Sequence, residues 1–167
     1  MSEQVIINSL EFARQNRQLQ GEIMIADLNR LQEHLYSDSG AVRYAVQGKV
    51  SESGKLYLIC TIQGELALKC QRCLAALAFP LEITSTLELV ENADGFLPIE
   101  EEEDSVDIIP ADTAMDVIAL VEDEILLNLP IAPLHPLPQC GAANRSELSG
   151  CAAANPFDVL VKLKNRD

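Results

Sequence analysis

Apolar and polar residues alternate through most of the middle of this chain. From residue 56 to 70 the even positions are apolar or small: Leu56, Leu58, Cys60, Ile62, Gly64, Leu66, Leu68 and Cys70. After Cys73 the phase moves to odd positions: Leu77, Phe79, Leu81, Ile83, Leu87 and Leu89. A period of two marks strands with one buried face. The two runs meet at Lys69-Cys70-Gln71-Arg72-Cys73, which puts the C-x-x-C pair at the tip of a long hairpin. The first run is too long for one flat strand, so a bend or bulge is expected at Gly64. Pro80 cannot donate to a ladder, so the second strand is an edge there. Residues 42–50 alternate as well, through Val42, Tyr44 and Val46, and Ser51-Glu52-Ser53-Gly54 is a turn.

The period changes further along. Val117, Ile118, Val121, Ile125 and Leu129 follow helical spacing, and Thr113-x-x-Asp116 resembles a capping box. These predict a helix over 113–128, stopped by Pro130 and Pro133, with Glu122, Asp123 and Glu124 on a solvated face. Residues 1–40 read as mixed short elements. They include a strand start at Val5, Ile6 and Ile7, a short helix carrying Phe12 and Ala13, and a strand at residues 22–25. A helix capped by Asp27 then carries Leu28, Leu31 and Leu35. Residues 91–104 form an acidic loop ending in Glu100-Glu101-Glu102-Glu103-Asp104, and a short strand is expected near residues 106–109. A cysteine-containing tail fills 134–167, with a last helix or strand at Phe157 to Leu163. The expected fold is one α+β domain over 1–167. A bent antiparallel sheet or partial β-barrel from 42–90, joined by N-terminal strands, lies under the helix 113–128.

Charge narrows the partners. The chain of 167 residues has a net charge of -14 and a pI of about 4.4. Such a surface repels a bare phosphate backbone and suits a basic partner, for example a ribosomal protein. The local basic residues Lys69, Arg72, Lys162, Lys164 and Arg166 keep a direct RNA-binding module as the alternative. No apolar run approaches the ~18 residues of a membrane span, and Met1-Ser2-Glu3-Gln4 lacks the pattern of a signal peptide. A cytoplasmic location is expected, where cysteines stay reduced.

The thiols are the main candidate chemistry. Cys60 lies on the buried face of a strand and reads as a small core residue. Cys70 and Cys73 sit in a turn, where two thiols can share one metal ion. His135 and Cys140 follow the helix and would complete a tetrahedral zinc site, with Cys151 as an alternative ligand. Such a site is closed and structural; a metal-free pair remains the other option. Thiol oxidoreductases place the reactive pair at a helix N-terminus, which is not the setting here. Neither a phosphate loop nor a Ser, His and Asp set stands out, so the chain reads as non-enzymatic.

Four segments together resemble a known family. They are Lys69-Cys70-Gln71-Arg72-Cys73, the run Leu120-Val121-Glu122-Asp123-Glu124-Ile125-Leu126-Leu127-Asn128-Leu129-Pro130, the segment Ile131-Ala132-Pro133-Leu134-His135 with Cys140, and Asn155-Pro156-Phe157 with Val159 to Lys164. In this order they resemble the bacterial YceD family, the large ribosomal RNA subunit accumulation proteins. The resemblance implies a role in the synthesis, processing or stability of 23S ribosomal RNA, with no catalytic residues to carry over. His135 stands where some relatives have cysteine.

Overall fold

The computed structural model describes residues 5–91, 106–136 and 139–140. Strand β1 (Ile6–Ile7) leads into helix α1 (Ser9–Arg14), whose N-cap Asn8 accepts a hydrogen bond from Glu11 N–H. Strands β2 (Gln18–Met24), β3 (Leu35–Ser37), β4 (Ala41–Val50), β5 (Leu56–Lys69), β6 (Ala76–Val90) and β7 (Asp107–Pro110) form one six-stranded sheet. Its order is β2-β4-β5-β6-β7, and β3 pairs with the far half of β5. All neighbours are antiparallel except β6 and β7, which run parallel. Strand β8 (Met115–Asp116) pairs with β1 just before helix α2 (Val117–Asn128). The architecture is sheet-rich α+β. The sheet stays open, with β2 and β7 at its ends, and does not close into a barrel.

The phase switch at the C-x-x-C has a simple geometric cause. Lys69 pairs with Ala76, so every even residue of β5 faces an odd residue of β6: Leu66 with Phe79, Ile62 with Ile83, Leu58 with Leu87. Those residues share one face, and α1 and α2 pack on it. The core joins Leu58, Ile62, Leu66, Leu81 and Leu87 to Phe12, Val117, Val121 and Ile125. Burying each such side chain contributes about 1.5–3 kcal/mol.

Several expectations need correction. The β5–β6 register runs unbroken through Gly64, paired with Leu81, so no bulge interrupts that ladder. Gly64 instead marks where β4 ends and allows close approach, since a Cβ there would lie 3.1 Å from Val42 Cγ1. The same argument is stronger at Gly48, where a Cβ would lie 2.5 Å from the Phe12 carbonyl oxygen. The expected helix after Asp27 is replaced by two 3-10 turns, Ile25–Asp27 and Gln32–His34, and by β3. Leu28, Leu31 and Leu35 are buried all the same. Helix α2 starts at Val117, and Asp116 is its N-cap, accepting from Ile118 N–H and Ala119 N–H. The acidic loop 91–104 beyond Glu91, Cys151 and the last element near Phe157 lie outside the described residues. No described helix is long and apolar enough to cross a membrane.

Candidate metal centre

The even phase of β5 carries Cys70 onto the buried side just past the end of the strand. The chain then turns. Leu74 N–H donates to Cys70 O at 2.8 Å, and Cys70 N–H donates to Ala75 O at 3.0 Å. Leu74 takes a positive φ of 60°, a left-handed conformation that costs an ordinary residue about 1–2 kcal/mol. This tight turn holds Cys73 beside Cys70. Pro130 follows α2, and the chain after it comes back to the same turn. Gln71 N–H donates to Pro133 O at 2.9 Å, which brings His135 and Cys140 to the turn.

The four side chains converge. The ligand atoms of Cys70, Cys73, His135 and Cys140 all lie within 4.8 Å of one another. Cys70 and Cys140 are buried, and Cys73 and His135 are half-buried. His135 Nε2 lies 2.9 Å from the Ala76 carbonyl oxygen, and Nδ1 lies 3.3 Å from Cys73 Sγ. A carbonyl can only accept, so Nε2 carries a proton. In the neutral ring the Nδ1 lone pair then faces the sulfurs, the tautomer a metal ligand needs. A tetrahedral zinc ion with bonds near 2.3 Å places its sulfurs roughly 3.8 Å apart, so the four groups need little movement to take one. The donor set fits zinc.

The electrostatics favour a thiolate at one of the three sulfurs. Burial pushes the Cys70 thiol up. Backbone N–H groups of Cys73, His135 and Arg72, with the Cys73 side chain, outweigh it and bring Cys70 down to about 5. At Cys73 a backbone hydrogen bond from Ala75 pulls down, but burial and the Cys70 and Cys140 sulfurs leave the thiol above its ordinary value. Sequence reasoning named all four residues; Cys151, its alternative ligand, lies outside the described residues. Cys60 is separate. It is fully buried in the core, and burial together with Glu124 pushes its thiol to about 12.

What sequence reasoning missed is the use of the acidic run in α2. Glu122 and Glu124 are not solvated; they are 8% and 5% exposed. Glu122 Oε1 accepts from Arg30 N–H at 2.7 Å and Leu31 N–H at 3.3 Å, and Oε2 accepts from Arg30 Nε at 2.9 Å. Asp123 takes the other arm of the Arg30 guanidinium. Hydrogen bonds to these two carboxylates, Glu122 foremost, hold Arg30 still more firmly protonated. Glu124 accepts from Ser85 Oγ on β6. The helix is thus bolted to the 28–31 loop and to the sheet. The only sequence signal for this was three adjacent acids inside an otherwise apolar run.

A family model described as large ribosomal RNA subunit accumulation protein YceD matches residues 58–164, which include the hairpin, α2 and all four candidate ligands. A Haemophilus influenzae protein of that name is 30% identical over 111 residues, 63% of this chain and 63% of that protein. The Bacillus subtilis protein YlbN is 38% identical over 72 residues, 42% of this chain and 38% of that protein. In both cases the match spans less than two thirds of the relative's length. No solved structure matches the chain. On the extent of the family match, the chain belongs to the family of large ribosomal RNA subunit accumulation protein YceD.

Proposed function

We propose that this chain supports the accumulation of large-subunit ribosomal RNA as a non-enzymatic factor, with Cys70, Cys73, His135 and Cys140 holding one structural zinc ion. The observation that carries the metal reading is the convergence of three sulfurs and a histidine nitrogen within 4.8 Å. Three thiolates and an imidazole fill a tetrahedral ion and leave no position for a reacting water. Zinc, when bound, would supply cross-linking alone. The four residues tie the hairpin tip to the segment after α2. Metal analysis of the reduced, purified chain tests this: about one zinc per chain is expected, falling to little in Cys70→Ser. A wild-type chain without zinc, even after zinc is added, overturns it.

The role in RNA accumulation rests on the family. Its route is proposed to be a basic large-subunit protein or a pre-ribosomal particle. The net charge of -14 supports this. So does a cavity of about 340 Å³ between β6, β7 and α2, lined by Glu82, Asp107 and Glu124 with Ser85 and Asn128 and, among the described residues, by no lysine or arginine. Affinity capture from growing bacteria, with and without ribonuclease, is the test. Basic large-subunit proteins should remain bound after ribonuclease. Partners that vanish with the RNA would overturn the basic-partner route.

A second reading has its own observation. Lys69 and Arg72 flank Cys70, are exposed, and make no ion pair among the described residues. They suit direct contact with single-stranded RNA at the knuckle. Such binding weakens steeply with salt; a flat salt response excludes it. Lys162, Lys164 and Arg166 lie outside the described residues.

A further inference from the structure

Three sulfurs share the centre, and they differ in two ways that matter for oxidation. The first is access. Cys73 is half-buried, whereas Cys70 and Cys140 are buried. A small oxidant in solvent therefore meets Cys73 first. The second is attachment. Cys70 and Cys73 belong to one turn, closed by the hydrogen bond from Leu74 N–H to Cys70 O. Their separation is set by the local backbone and survives loss of a metal. Cys140 belongs to the segment after α2. Among the described residues, the hydrogen bonds that tie that segment to the tip without using a sulfur are Gln71 N–H to Pro133 O and His135 Nε2–H to Ala76 O; the others, from His135 N–H to Cys70 and between His135 Nδ1 and Cys73, run to the sulfurs themselves.

We propose that the centre is a peroxide-sensitive clasp: oxidation joins Cys73 to Cys70, expels the metal, and releases His135 and Cys140 from the hairpin tip. This rests on the zinc reading above. The oxidant is a hydroperoxide. Cys73, a thiolate when the metal is bound, attacks one peroxide oxygen; the S–O bond forms, the O–O bond breaks, and the other oxygen leaves as water after taking a proton. The Cys70 thiolate then attacks the Cys73 sulfur. The S–S bond forms, the S–O bond breaks, and a second water leaves. Two thiolates, one hydrogen peroxide and two protons give one disulfide and two waters. The sulfurs lose two electrons and the peroxide gains them. The metal keeps only His135 and Cys140, too few to hold it. A dithiol reductant with added zinc reverses the change.

The choice of Cys70 over Cys140 as the second sulfur decides the outcome. A Cys73–Cys140 disulfide would keep the two segments clasped. A Cys70–Cys73 disulfide lets them part. The sulfur atoms are close in either case, but only Cys70 and Cys73, in one turn, stay close once the ion begins to leave.

The test uses the full chain, reduced and loaded with zinc. Hydrogen peroxide is added with a chromophoric zinc indicator, and samples are alkylated and mapped by mass spectrometry. The expected result is release of about one zinc for each disulfide formed, a Cys70–Cys73 link, and Cys140 newly open to alkylation. Limited proteolysis should show new cleavage near residues 131–140, and dithiothreitol with zinc should restore the original pattern. Zinc retained in peroxide, zinc lost without a disulfide, or a link that includes Cys140 or Cys151 overturns the proposal. Cys73→Ser should lose its metal more slowly in peroxide than wild type. Where that variant fails to load zinc, the wild-type map decides alone. A reduced chain that never binds zinc overturns the metal reading and this one with it. Zinc that binds and resists peroxide overturns this one only.

Discussion

Cys60 lies opposite Ser85 in the β5–β6 ladder, and Glu124 of α2 reaches the same spot from above. The alternation of apolar residues made Cys60 legible as core, because its neighbours at every second position are aliphatic. Glu124 was not legible, because a carboxylate in a sequence carries no sign of the hydroxyl it will meet. Burial, with Glu124, moves the Cys60 thiol from 9.0 to about 12. The folded chain keeps a proton there that the unfolded chain releases. That contribution to stability is whole below 9.0 and is lost as the pH rises toward 12. Cys60 should therefore resist iodoacetamide in the native protein at mildly alkaline pH and react only after denaturation, as peptide mapping would show. Ser85→Ala should lower stability by about 1–3 kcal/mol in urea titration, because Glu124 then keeps a buried charge without its hydroxyl donor.

The spacing locates helix α2, but not its first residue, and of its three adjacent acids only Asp123 lies on the expected exposed face. Asp116 caps the helix from outside, so the first turn begins after it. The acids Glu122 and Asp123 point at Arg30, whose backbone and side chain both take part. The partners are 92 residues apart, beyond the reach of any local pattern. The leucines at 28, 31 and 35 misled for a related reason. Spacing of three and four matches a helix, but short turns crossing under α2 also bury them. Glu122→Ala removes the acceptor for two backbone N–H groups as well as the ion pair. It should cost about 1.5–3 kcal/mol. Hydrogen exchange at Leu31 should rise more than exchange in the sheet.

At the scale of the whole molecule, periodicity told which face each strand buries but not which strands are neighbours. That β4 lies between β2 and β5, that β3 takes over beside β5 where β4 stops, and that β7 runs parallel to β6 are choices of topology. The four candidate ligands were legible by residue type, though the path that brings them together depends on α2 folding back over the sheet. On the zinc reading, a strong chelator should raise hydrogen exchange at Gln71 and over residues 133–140 while the β5–β6 ladder keeps its protection. Uniform loss of protection across the sheet would contradict a local staple. The long hairpin also has a proofreading problem. A slip of two residues would keep every aliphatic side chain on its proper face, so the core is a poor judge of the error. The turn is a better one. Lys69 must meet Ala76 for the hydrogen bonds from Cys70 and Leu74 to close it and for Ala76 to reach His135. A slipped hairpin would fold its greasy face well and still fail to present Cys70 and Cys73 to the returning chain, so the cysteine tip discriminates the correct alignment from its near neighbours during folding.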